Sequence, residues 1–265
     1  MDSVAAAVPP MDGRAEQQAL NIEVDGELQE SPPSTPVAHP NNPKHGEVSE
    51  EGAADDKKAG TLILLDWDDT INPSSLVTSL GFRIDEDSQL PATLQRELEA
   101  LEEIAIDMLE TCSAHGHVVI VTNAETGWVE LSGKRFVPRV LECLQRLQLP
   151  IISARSTYES RYPGSPADWK TAAFIEQVAH AAEITPSVGV MSIGDSLNER
   201  EAAHQVGTRF ADGDVSSVKT VKMVERPTVE QLRRQLSLIS TNFSDMVAEP
   251  HSFDVNLVCD AASDE

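Results

Sequence analysis

Leu62-Ile63-Leu64-Leu65-Asp66-Trp67-Asp68-Asp69-Thr70 is an uninterrupted apolar run that ends in a cluster of carboxylates. The run is bounded by Gly60 and Asp66. It is too short for a helix and lacks the alternation of a strand with one wet face, so it reads as a strand buried on both faces. Strands of that kind belong to parallel sheets covered by helices.

Moving outward, the same texture recurs. His117–Val121, Pro150–Ala154 and Val188–Ile193 read as further buried strands, and Thr208–Phe210 as the start of a short fifth one. Between them lie helical periodicities. Pro91–Ala114 carries Leu94, Leu98, Leu101, Ala105 and Met108 on one face, and Val137–Leu147, Asp168–Ala182, Leu197–Val206 and Pro227–Val247 follow. Asp168 is placed to cap its helix. Strand and helix in alternation predict an α/β fold, a central parallel sheet between two helical layers. In such sheets ligands sit beyond the carboxyl ends of the strands, where strand order reverses. The polar residues directly after each strand are therefore the candidates for function.

The flanks differ in composition. Residues 1–59 gather Pro32, Pro33, Pro36, Pro40 and Pro43 among acidic and small residues, with sparse apolar content. They are expected to be a disordered, acidic, proline-rich tail. One folded domain is expected over residues 60–247 and an acidic tail over 248–265. Lys and Arg number 20 against 44 Asp and Glu, a net charge of −24 in 265 residues. That balance argues against nucleic acid and anionic membranes as partners. The N-terminus lacks the basic flank and long apolar core of a secretory signal, and no apolar run approaches the roughly 20 residues that span a bilayer. The three cysteines, Cys112, Cys143 and Cys259, match no zinc spacing and suggest no disulfide framework. A soluble protein of a reducing compartment, cytoplasmic or nuclear, is the expectation.

Four stretches carry the candidate chemistry. Asp66, Asp68 and Asp69 repel one another at a strand end and require either a cation, a shared proton or free solvation. Thr122-Asn123 follows the second strand, where a hydroxyl and backbone amides suit phosphate oxygens as well as a simple turn. Lys170 sits near a helix N-terminus, where the macrodipole disfavours a cation; a surface position or an anionic partner would each account for it. Gly194-Asp195-Ser196-Leu197-Asn198-Glu199 brings another carboxylate to the same sheet edge, and hard ions such as Mg2+ take oxygen ligands of that kind. Ser196 and Glu199 form a capping box, which accounts for the glutamate as a helix start and leaves a supporting role at a metal open.

Read in order, Asp66-Trp67-Asp68-Asp69-Thr70, Thr122, Lys170 and Gly194-Asp195-Ser196 resemble the motifs of the haloacid dehalogenase superfamily over roughly residues 61–210. The resemblance implies a Rossmann-like three-layer sandwich and a phosphatase. It implies Asp66 as nucleophile forming an aspartyl-phosphate, and Asp68 as acid and then base. Mg2+ would be held by Asp66, the Asp68 backbone carbonyl and Asp195. Thr122, the adjoining Asn123 backbone and Lys170 would hold the phosphoryl group. Asp68 sets the chain apart from the dehalogenase branch, and Glu199 stands where many members have a second Asp. The segments 71–90 and 155–169 are too short for a full cap domain, so the site is expected to be open to large substrates such as phosphoproteins. Trp67, Trp128, Arg155, Arg161, Tyr158 and Tyr162 are candidates for a specificity rim, with core or ordinary loop positions as the alternative. A non-catalytic phosphate-binding scaffold that keeps this fold is the competing functional class.

Overall fold

The computed structural model describes residues 20–24, 60–85, 88–185, 187–211 and 213–259. In chain order the elements are β1 (Leu20–Val24), β2 (Thr61–Leu65), α1 (Ser74–Ser79), α2 (Ala92–His115), β3 (His117–Thr122), α3 (Trp128–Phe136), α4 (Pro138–Arg146), β4 (Ile151–Ser153), α5 (Ala154–Tyr158), α6 (Pro166–Ile184), β5 (Val188–Gly194), α7 (Leu197–Arg209), β6 (Val215–Lys222), α8 (Val229–Ala248) and β7 (Phe253–Cys259). The sheet order is β1-β7-β6-β5-β2-β3-β4. The strands β2 to β7 are all parallel, and β1 closes one edge antiparallel to β7.

Leu62, Ile63, Leu64 and Leu65 are each at most 1% exposed, as the continuous apolar run requires. Each such side chain contributes about 1.5–3 kcal/mol when buried. Ile63 and Leu65 face a core completed by α1, α2, α3, α4 and α8. Leu62 and Leu64 face a second core completed by α5, α6 and α7. The result is a Rossmann-like α/β three-layer sandwich. From β2 the chain moves outward to β3 and β4, then returns across β2 to build β5, β6 and β7 on its other side. The reversal lies between β2 and β5, so their carboxyl ends flank the natural ligand crevice. Among the described residues no helix is long and apolar enough to cross a membrane.

Three expectations are corrected. Thr208 and Arg209 close α7 and Phe210 is its C-cap, so the predicted fifth strand is not there; the fifth strand of the parallel set is Val215–Lys222. Its polar residues hid it: Ser217, Lys219 and Thr220 are buried, and Lys219 Nζ donates to the Val247 carbonyl at 2.8 Å. The helix expected from Asp168 begins at Pro166 after Ser165; Asp168 lies in the first turn and accepts from the Ser165 hydroxyl at 2.7 Å. The acidic end expected from residue 248 contains β7. Of residues 1–59, only Leu20–Val24 is described, as strand β1; the remainder of that expected tail lies outside the described residues.

Asp254 explains how an acidic residue sits within β7. Its carboxylate accepts from the Thr220 hydroxyl, from Arg200 Nε at 2.7 Å and from His204 Nε2 at 3.2 Å, joining β7 to β6 and α7. Burial raises its pKa, but the hydroxyl and guanidinium outweigh that and hold it below 3.8. A depressed carboxylate contributes stability above its ordinary pKa and loses it as the pH falls through the folded value. Asp254→Asn is therefore expected to unfold at lower denaturant concentration at pH 7, by about 1.5–3 kcal/mol for charge-assisted bonds. Chemical denaturation at pH 7 and pH 3 checks this: the gap between variant and wild type should close at the lower pH.

Candidate functional site

The loop after β2 is shaped by its backbone. The Asp66 amide continues the sheet ladder by donating to Ile193 O at 3.0 Å. The Trp67 carbonyl then accepts from the amides of Ile71 and Asn72 at 2.9 and 3.0 Å, reversing the chain. Asp69 takes a left-handed conformation, φ 56°, which a short carboxylate side chain tolerates better than most. Its carboxylate accepts from the Ser75 amide at 2.9 Å. In this way three successive polar side chains leave the strand end with different partners.

Lys170, in the second turn of α6, is 0% exposed. Its ammonium donates to Asp66 Oδ1 at 2.6 Å and to the Val121 carbonyl at 2.7 Å, and it pairs with Glu199 Oε1 at 2.9 Å. One buried cation thus joins the ends of β2, β3 and α7. Glu199 does two jobs. It receives the Ser196 amide at 3.0 Å in a complete capping box and also faces Lys170. Gly194 permits this, because a Cβ there would stand 2.4 Å from Glu199 Cγ. Burial favours the neutral forms, lowering Lys170 and raising Glu199, yet the opposite charges win: Asp66 and Glu199 hold Lys170 above its usual range, and Lys170 holds Glu199 below. Asp66 is pushed well above the usual carboxylate range, by burial first and then by Glu199 and Asp68, against the pull of Lys170.

Asp68 is held by three donors. Trp128 Nε1 reaches Oδ1 at 2.8 Å, the Ser74 hydroxyl meets the same oxygen, and the Thr122 hydroxyl reaches Oδ2 at 3.3 Å. Thr122 also accepts from the Ala124 amide at 2.9 Å. Asp195 is half-buried, and no donor among the described residues hydrogen-bonds its carboxylate. Its backbone is fixed instead: the amide donates to the Thr70 hydroxyl at 3.1 Å and the carbonyl accepts from Lys222 Nζ at 2.8 Å. Burial, then Glu199 and Asp69, push its pKa to about 7.

A cavity of about 660 Å³ lies over this edge, lined by Asp66, Asp68, Asp195, Asn123, Trp128 and Arg155 among others. Asn123 donates to the Pro166 carbonyl at 3.2 Å, while its side-chain oxygen is buried without a partner among the described residues. The structure therefore brings together Asp66, Asp68, Thr122, Lys170, Asp195 and Glu199. It does not bring Trp67 to the entrance. That indole is 0% exposed in the core and donates to Ser132 Oγ at 2.9 Å. Arg161 stacks on Tyr162 at 5.2 Å and is not part of the cavity wall, whereas Arg155 is. Ser74 was invisible to sequence reasoning; nothing in its neighbourhood marks a serine that will fold back onto Asp68.

No family model, curated protein or solved structure matches this chain. The resemblance to the haloacid dehalogenase superfamily rests on the motif residues alone.

Two stability tests follow from the buried charges. Lys170→Met leaves Asp66 and Glu199 without their cation and should cost about 3–5 kcal/mol. Neutralising both acids in the same background (Asp66→Asn, Glu199→Gln) should recover most of the loss, as read from denaturant midpoints. Asp195 tests the opposite sign. Between 3.8 and about 7 the folded form holds a proton that the unfolded form has lost, so stability falls as the pH rises through that window. In metal-free buffer at pH 8, Asp195→Asn should exceed wild type by about 1–2 kcal/mol, a value reduced for partial solvent screening. Equal midpoints at pH 8 would contradict it.

Proposed function

We propose that this chain is a Mg2+-dependent phosphatase that hydrolyses a phosphate monoester through an aspartyl-phosphate on Asp66. The observation that carries the reading is the juxtaposition of Asp66, backed by the Lys170 ammonium at 2.6 Å, with Asp68 on the wall of one cavity. A carboxylate nucleophile needs a neighbour that neutralises charge on the incoming phosphoryl group, and a separate acid for the leaving oxygen. Phosphoryl transfer asks mostly for positioning and charge compensation, which this edge of the sheet supplies.

In this reading an Asp66 carboxylate oxygen attacks phosphorus as the bond to the leaving oxygen breaks. Asp68 gives that oxygen its proton, then takes a proton from the water that attacks the aspartyl-phosphate, releasing inorganic phosphate and restoring Asp66. Thr122 and the Asn123 amide hold the phosphoryl oxygens, and the buried Lys170 ammonium offsets their charge from behind Asp66. Trp128 and Ser74 keep the Asp68 carboxyl turned into the cavity.

The donor set suits a hard divalent ion. Asp66 and Asp195 border the same cavity, and the Asp195 carboxylate has no protein donor of its own among the described residues. No group of three His, Cys, Asp or Glu side chains among the described residues forms a finished cage. Mg2+ commonly uses only one or two carboxylates and completes its shell with water and substrate phosphate. Asp66, the Asp68 carbonyl and Asp195 would hold it, and it would neutralise phosphate charge.

The segments after β2 and β4 add only α1 and α5 near the cavity, with no second domain among the described residues to cover it. An open site of this kind suits a phosphoprotein or other large phosphorylated substrate in the cytoplasm or nucleus.

Hydrolysis of an aryl phosphate by the full chain, with Mg2+ and with chelator, tests the reading. Wild type should turn over only with Mg2+. Asp66→Asn should lose at least about 10³-fold in kcat, as expected when the nucleophile is removed. Retained turnover in Asp66→Asn would exclude the mechanism. Tight phosphate binding by wild type without turnover would favour the scaffold alternative. Millimolar Mg2+ should also raise the wild-type Tm by several degrees, because a ligand at a hundredfold excess over its Kd adds about 2.7 kcal/mol. Asp195→Ala should lose most of that rise.

A further inference from the structure

A second cavity, of about 550 Å³, adjoins the first and shares Asp68 with it. Its wall is rich in hydroxyls, from Ser74, Ser75, Thr78, Ser79 and Thr228, and contains one cation, Arg226. We infer that this cavity is the subsite for the leaving portion of the substrate, and that Arg226 selects phosphate monoesters whose leaving group carries a second anion, a carboxylate or another phosphate. The inference rests on the phosphatase reading, because it is Asp68, the proton donor to the leaving oxygen, that forms the common wall.

Four features point to an anion. Among the described residues the Arg226 guanidinium makes no hydrogen bond and no ion pair; its field reaches Asp69, but that carboxylate is already served by the Ser75 amide. In a chain of net charge −24, a cation left without a direct acidic partner beside the candidate site stands out. Two of the hydroxyls, on Thr78 and Thr228, are available as donors. Thr78 spends its hydroxyl on no partner among the described residues, and Thr228 uses only its acceptor side, receiving the Gln231 amide at 3.2 Å. The Asp68 charge facing both cavities is offset by its three donors, which lowers the repulsion that an entering anion would meet.

The backbone adds a fourth. Arg226 is held at φ 48°, left-handed, directly before Pro227. A long side chain is disfavoured there, and strain of this sort persists where the surrounding structure imposes it and clusters at binding sites. Glycine would sit at the same φ without cost. That an arginine occupies the position fits a side chain kept for its charge.

The test uses the full chain and two non-hydrolysable probes, 4-carboxybenzylphosphonate and its neutral twin 4-carbamoylbenzylphosphonate, with binding measured by calorimetry. Wild type should prefer the carboxylate by about fivefold, the upper range for one partly exposed ion pair. In Arg226→Gln the ratio should fall to about one, and Arg226→Lys should keep part of the preference. Arg226→Gly should lose the preference while its Tm rises, since charge and strain leave together. Turnover of phosphoserine peptides with Glu or Gln after the phosphoserine distinguishes a peptide source of the second anion from a small bis-anion. A ratio near one in wild type, or an unchanged ratio in Arg226→Gln, overturns the subsite while leaving the phosphatase reading intact. If neither phosphonate binds and no aryl phosphate is hydrolysed, both readings fall together. A lower Tm in Arg226→Gln with no change in ratio would show only a counter-charge for Asp69.

Discussion

The ammonium of Lys170 is the constraint on which the rest of the candidate site depends. It is fully buried, and a buried charge is tolerable only when paired and hydrogen-bonded. Its partners come from three places in the chain: Asp66 after β2, the Val121 carbonyl in β3 and Glu199 in α7. Satisfying one cation therefore sets the spacing between the central strands and the helices on one face. The arrangement favours specificity of geometry more than stability, because two acids and one cation leave residual negative charge in a low-dielectric setting. Burial first, and then that residual charge, lifts Asp66 and Asp195 above their usual range.

From that centre the structure grades outward from rigid to open. The Asp68 carboxylate is fixed by Trp128, Ser74 and Thr122, and each of those is anchored to a different element. Trp67, by contrast, is turned into the core, where its indole holds Ser132 and so the helix that carries Trp128. The two neighbouring tryptophan sites are thus one support and one wall. Beyond them lie two cavities that meet at Asp68, one edged by Arg155 and the other by Arg226. Arg155 is already engaged with Glu125 and Glu159 and stacks on Trp169. The two arginines therefore stand in different chemical situations.

The far side of the sheet follows the same logic with weaker signals. The strands β6 and β7 are diluted by Ser217, Lys219, Thr220 and Asp254, yet they extend the parallel sheet because Lys219, Thr220 and Asp254 find partners there. Periodicity alone could not separate β7 from an acidic tail. What makes Asp254 compatible with a strand is Arg200, more than fifty positions away in sequence.

The sequence by itself determined the alternation of buried strands and amphipathic helices, because four-residue apolar runs and 3.6-residue periodicity report local burial directly. It also placed Asp66, Asp68, Thr122 and Asp195 at strand ends, since position after a buried run is a local property, and it identified Ser196 and Glu199 as a capping box. Only the tertiary structure decided that Lys170 is buried rather than a surface lysine, that Glu199 both caps a helix and faces that lysine, that Trp67 packs inward and that Ser74 and Trp128 converge on Asp68. Those outcomes depend on which distant groups meet across the sheet. Pairing of buried polar groups is a long-range condition, and no window of local sequence contains it.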